Sequence, residues 1–77
     1  MQTYLNLSLN SGVAGYNLNV DSIDVMFRGS PKIYSYDASN VGHSNVDTMK
    51  QLATSGSGLG TFINQHPEVK KGFTLKS

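Results

Sequence analysis

Two hydrophobic periods divide this chain of 77 residues. Up to residue 36 apolar side chains fall at alternate positions, and from residue 45 they fall three or four apart. The first period belongs to strands with one buried face, the second to amphipathic helices. Strands grouped first and helices after them predict an α+β fold. Thr3 to Leu9 sets Leu5, Leu7 and Leu9 against Tyr4, Asn6 and Ser8, the pattern of a half-buried strand. Asn10-Ser11-Gly12 supplies a turn, and Tyr16, Leu18 and Val20 then alternate with Asn17 and Asn19. Asp21-Ser22 breaks that run before Ile23, Val25 and Phe27 face away from Asp24, Met26 and Arg28. Gly29-Ser30-Pro31 turns the chain again, because glycine permits positive φ and proline fixes its own. Lys32 to Tyr36 completes the series, so the expectation is a small antiparallel meander of about four strands.

Ser44-Asn45-Val46-Asp47 has the form of a capping box, and Val46, Met49, Leu52 and Ala53 recur at helical spacing. This predicts a helix over 45–54, a break at Thr54 to Gly58, and a second helix from near Ser57 carrying Leu59, Phe62 and Ile63 inward. Two short helices would then pack on one face of the sheet. Pro67-Glu68-Val69-Lys70-Lys71-Gly72, proline first and glycine last, predicts a single helical turn. Phe73-Thr74-Leu75 reads as a short edge strand or a docking tail.

A chain of this length holds one domain, 1–77, near the lower limit for a core without staples. Having no cysteine, it can form neither a disulfide nor a thiolate metal site, and a reducing, cytoplasmic setting is the default expectation. No apolar run exceeds three residues, too short for a membrane span. The formal charge of +1 argues against a long polyanion as the main partner. It favours a short ligand or a protein. A thin core also makes a homo-oligomer an expectation, since assembly buries apolar surface that the monomer leaves exposed.

The densest cluster of special residues is Ser55 to Asn64, where three glycines, two serines and a threonine lead into a helix start. One reading is a tight helix–helix connection that needs glycine for steric reasons. The other is a phosphate cradle made by the N–H groups of Gly58, Leu59 and Gly60 with the Ser57 and Thr61 hydroxyls. The turn is not a Walker A motif, since no Lys-Ser/Thr pair follows the glycines. Tyr34 and Tyr36 share one side of their strand, either as rings packed beneath the helices or as a base-stacking platform. Arg28 and Lys32 flank the hairpin turn, as surface charge or as phosphate partners. No G-x-S-x-G elbow, cysteine nucleophile or acid–base pair is present, so the expectation is no enzyme, no metal and no cofactor.

Ile23-Asp24-Val25-Met26-Phe27-Arg28-Gly29, Tyr34-Ser35-Tyr36 and Gly60-Thr61-Phe62-Ile63-Asn64 together resemble the KTSC domain. That short module is found at the C-terminus of some lysyl-tRNA synthetases and alone in bacterial and phage proteins. The resemblance covers roughly residues 13–66, with Gly58 where the family has serine and Ile63 in place of an aromatic residue. It implies a strand–turn–strand–helix module with a suggested role in nucleic-acid binding, and it adds Asn64 to the candidate residues. The leading expectation is a non-enzymatic domain that captures a small phosphate-bearing nucleotide. Phosphate would sit at Gly58–Thr61, the base on the tyrosines, and Arg28 or Lys32 would add charge. By analogy, a phage protein sequestering a nucleotide immune signal in the host cytoplasm would suit such a domain. The alternatives are an RNA-binding accessory module, disfavoured by charge, and an interaction subunit without a ligand.

Overall fold

The computed structural model describes residues 2–5 and 12–76. Five strands lie side by side in chain order: β1 (Gln2–Thr3), β2 (Val13–Leu18), β3 (Ser22–Phe27), β4 (Ile33–Asp37) and β5 (Phe73–Leu75). All neighbours are antiparallel. Between β4 and β5 run the helical segments α1 (Ala38–Val41), α2 (His43–Ser55), α3 (Leu59–Gln65) and α4 (Pro67–Lys70). The fold is therefore α+β among the described residues: β5 is the edge strand that Phe73-Thr74-Leu75 suggested, α4 the single turn expected from Pro67, and α1 is additional.

The register sets the buried face. Val25 opposes Tyr16 and Tyr34, while Ile23 opposes Leu18 and Tyr36, so all these side chains share one side of the sheet. Val46, Met49 and Ala53 of α2, Leu59 and Ile63 of α3, and Val69 of α4 close over that side to form the core. Ala14 is an extra residue in β2, because Val13 pairs with Phe27 and Gly15 with Met26. In a regular strand Val13 and Tyr16 would face opposite ways. The bulge turns both inward, and both are buried.

Several local expectations change. Tyr4 is buried and Leu5 is 65% exposed, so the first segment presents the face opposite to the one its leucines suggest. The rest of the expected strand, including Leu7 and Leu9, and most of the turn after it lie outside the described residues. Val20 belongs to a turn and is 90% exposed. The capping box is absent: α2 begins at His43, with Gly42 at its N-cap and no side-chain cap. The cap sits earlier, where the Asp37 carboxylate accepts from Ser39 N–H and Ser39 Oγ, both at 2.8 Å, and opens α1. Those two hydrogen bonds, the backbone one foremost, hold the Asp37 carboxyl below its ordinary range.

On the other side of the sheet Asp24 is only 4% exposed. Burial alone would raise its pKa. Hydrogen bonding from Lys76 and its charge, with smaller help from the nearby Asn19 and Ser35 side chains, outweigh that and lower it. Oδ1 itself is buried without a hydrogen-bond partner among the described residues. Lys76 Nζ lies 3.0 Å from Asp24 Oδ2, which ties the chain beyond β5 back to the centre of the sheet.

Candidate functional site: an aromatic cavity beside the third helix

The Ser55–Thr61 connection ends one helix and positions the next. Gly56 adopts the left-handed conformation, φ 80°, and its N–H reaches the carbonyls of Leu52 and Ala53. Ser57 N–H also donates to Leu52 O, at 3.4 Å. A Cβ at Gly56 would come within 2.6 Å of Leu5 Cβ, so glycine is required there by packing as well as by φ. Gly58 is left-handed too, at φ 89°. The Leu59 N–H is buried and donates to the Tyr4 hydroxyl at 3.2 Å. Leu59 therefore offers no donor to a ligand, and the cradle of three consecutive free amides is not formed. Here the steric reading of the turn fits the geometry better.

A cavity of about 430 Å³ lies on the other side of α3. Its floor comes from the sheet as Phe27, Tyr34, Tyr36 and Phe73, and its wall from Gly60, Ile63 and Asn64. Lys70 of α4 and Gly12 complete the lining. The aromatic rings meet edge to face. Tyr34 is 4.7 Å from Phe73 and 5.2 Å from Phe27 between centroids, and Tyr36 is 6.4 Å from Phe73. Burial, with the nearby Tyr34 phenol adding to it, pushes the Tyr36 pKa up to about 12. The Tyr36 hydroxyl thus stays a proton donor throughout the physiological range. Neither tyrosine hydroxyl has a hydrogen-bond partner among the described residues.

The cavity carries one formal charge, the Lys70 ammonium, and no acidic residue lines it. Among the described residues Lys70 makes no ion pair. The site thus combines a ring-faced floor, two phenols, a carboxamide and one cation. This set suits a flat, partly apolar ligand bearing a negative group. Among the described residues no cluster of His, Asp or Glu could hold a metal ion. No described helix is long and apolar enough to cross a membrane.

Of the residues singled out in the sequence, Tyr34, Tyr36, Gly60 and Asn64 meet in this cavity. Ser57, Gly58, Leu59 and Thr61 do not line it, and neither do Arg28 and Lys32 at the hairpin turn. Phe27, Ile63, Lys70 and Phe73 join the site without having been singled out for it. Phe27 was in phase with Ile23 and Val25, and that phase could have nominated it. Nothing local could have nominated Phe73, which arrives through its pairing with Tyr36. His66 is occupied elsewhere, stacked 4.0 Å from Phe62 with its Nδ1 2.8 Å from Phe62 O.

Comparison of the chain with known protein families, with curated proteins and with solved structures found no match. The cavity must therefore be interpreted from its own chemistry.

Proposed function

We propose that this domain is a non-enzymatic binding module for a small anionic ligand with a flat ring, of the nucleotide class. The observation that carries this reading is the convergence of Tyr34, Phe27 and Phe73 with the unpaired Lys70 in one cavity free of acidic residues. Its volume of about 430 Å³ lies within the range of roughly 300–1,000 Å³ usual for small-molecule sites. The ring lies against the aromatic floor, the Tyr34 and Tyr36 hydroxyls and Asn64 meet its polar edge, and the phosphate meets Lys70. This moves the phosphate from the Gly58–Thr61 turn to the far side of α3.

The motifs behind the KTSC resemblance, Tyr34-Ser35-Tyr36 and Gly60 to Asn64, supply five of the lining residues, Tyr34, Tyr36, Gly60, Ile63 and Asn64, which favours a binding role for them. A sequestering role, holding a nucleotide signal without breaking it down, is the form we assign to such a site. A phage source stays within that proposal, as does self-association of the small domain.

Thermal denaturation with nucleoside monophosphates, cyclic dinucleotides and a short RNA, each at graded salt, tests this reading. A saturable rise in Tm with a nucleotide, absent with RNA, is the expected result. A steep salt-dependent response to RNA alone would replace it with the RNA-binding reading. No response to any of them would leave the interaction-subunit reading.

A further inference from the structure

The outer edge of β5 offers a second site of a different kind. Lys76 N–H donates to Ile33 O at 2.9 Å, and Thr74 pairs with Ser35 in the same register. Antiparallel alternation then makes Ile33–Lys76 and Ser35–Thr74 the hydrogen-bonded pairs, and turns the N–H and C=O groups of Phe73 and Leu75 away from β4. Among the described residues nothing pairs with that outer edge. Phe73 and Leu75 are 38% and 47% exposed, and both side chains lie on the helix-covered side. Lys70 and Lys71 stand before the strand and Lys76 after it. Only Lys76 is ion-paired among the described residues, to Asp24. Glu68, one turn back on α4, is the nearest acid in sequence.

We infer that β5 is a docking edge for an acidic extended segment of another protein, added as a sixth strand. Backbone pairing at Phe73 and Leu75 supplies the attachment, and Lys71, beside Lys70 and without an ion pair among the described residues, selects the charge. A short, lysine-flanked edge is guarded against a copy of itself. A second copy set on this edge would bring its own Lys70, Lys71 and Lys76 to the same short strand, like charge beside like. An acidic strand turns the same repulsion into attraction.

The test is an amide-resolved NMR titration with a synthetic heptapeptide alternating glutamate with valine. Saturable shifts centred on Phe73 and Leu75 are expected. N-methylation of the central peptide amides, or Leu75→Pro in the protein, should each weaken binding roughly tenfold or more. The Leu75 N–H points outward, so proline there removes no bond to β4, and Tm should hold. Lys71→Glu should weaken the glutamate peptide and improve its lysine counterpart. Equal binding of both peptides to the native protein, indifference to N-methylation, or no saturable shift would overturn the inference. So would a concentration-dependent mass lost in Leu75→Pro, which would assign the edge to a second copy. Neither Leu75 nor Lys71 lines the aromatic cavity, so nucleotide binding can fail or succeed independently.

Discussion

The Gly-rich connection and the aromatic floor lie on either side of α3, and they use their polar groups in opposite ways. In the connection, the amides of Gly56, Ser57 and Leu59 are spent on Leu52, Ala53 and the Tyr4 hydroxyl. On the floor, the Tyr34 and Tyr36 hydroxyls and the Lys70 ammonium have no partner among the described residues. Buried polar groups that are satisfied hold a fold together. Polar groups left over at the wall of a cavity are available to a ligand. The contrast fits a structural connection and leaves the floor as the candidate site, although the connection has the composition usually associated with anion sites.

The largest expected effect falls in the connection. Gly56→Ala combines left-handed strain with a Cβ 2.6 Å from Leu5 Cβ, and should destabilise by about 3 kcal/mol in urea denaturation. Gly58→Ala meets only an ordinary contact, Leu52 Cδ2 at 3.5 Å, and should cost about 1 kcal/mol from strain alone. Equal losses at the two glycines would break the packing part of the account.

Tyr4→Phe comes next. It leaves the buried Leu59 N–H without its acceptor and should cost about 2 kcal/mol, with nucleotide affinity unchanged. A loss of affinity without a loss of stability would return the turn to the ligand site.

A smaller effect is expected from acid. The Asp24 carboxyl has its pKa lowered in the folded state, so its stabilising contribution is complete above the unfolded value, near pH 4, and is lost as pH falls through the folded value. The contribution of Asp24 should be constant from neutrality to about pH 5 and be lost as pH falls below about 4, and Asp24→Asn should remove that part of the acid loss. Chemical denaturation across pH 2.5–7, a range set by the ordinary carboxyl pKa of about 4, checks the sign.

The sheet was legible because period two survives in Ile23 to Phe27 and in Lys32 to Tyr36, and the α2 core face because Val46, Met49 and Ala53 keep helical spacing. What misled was local chemistry with two uses. Leu5 completes an alternating run, yet the chain buries Tyr4, whose hydroxyl can satisfy Leu59 N–H where no leucine could. Ser44 resembles a cap, but the Asp37–Ser39 pair had already started the helical region. The bulge at Ala14 has no signature in composition, and β5 reaches β4 only after all four helical segments have been laid down. Phe73 enters the cavity only through that late pairing. Tyr34 and Tyr36 could therefore be nominated from sequence, whereas Phe73 and Lys70 could not.

The central claim is that an anionic ring ligand seats on the aromatic floor with its charge at Lys70. Its most direct test is the affinity of one nucleotide that raises Tm, measured by titration calorimetry on the native protein and on Tyr34→Ala, Lys70→Ala, Ser57→Ala and Thr61→Ala. Losses of roughly tenfold are expected for the first two variants, about 1–3 kcal/mol for a stacked ring, with no change for the last two. Loss of binding in Ser57→Ala or Thr61→Ala, with Tyr34→Ala and Lys70→Ala unaffected, would contradict it.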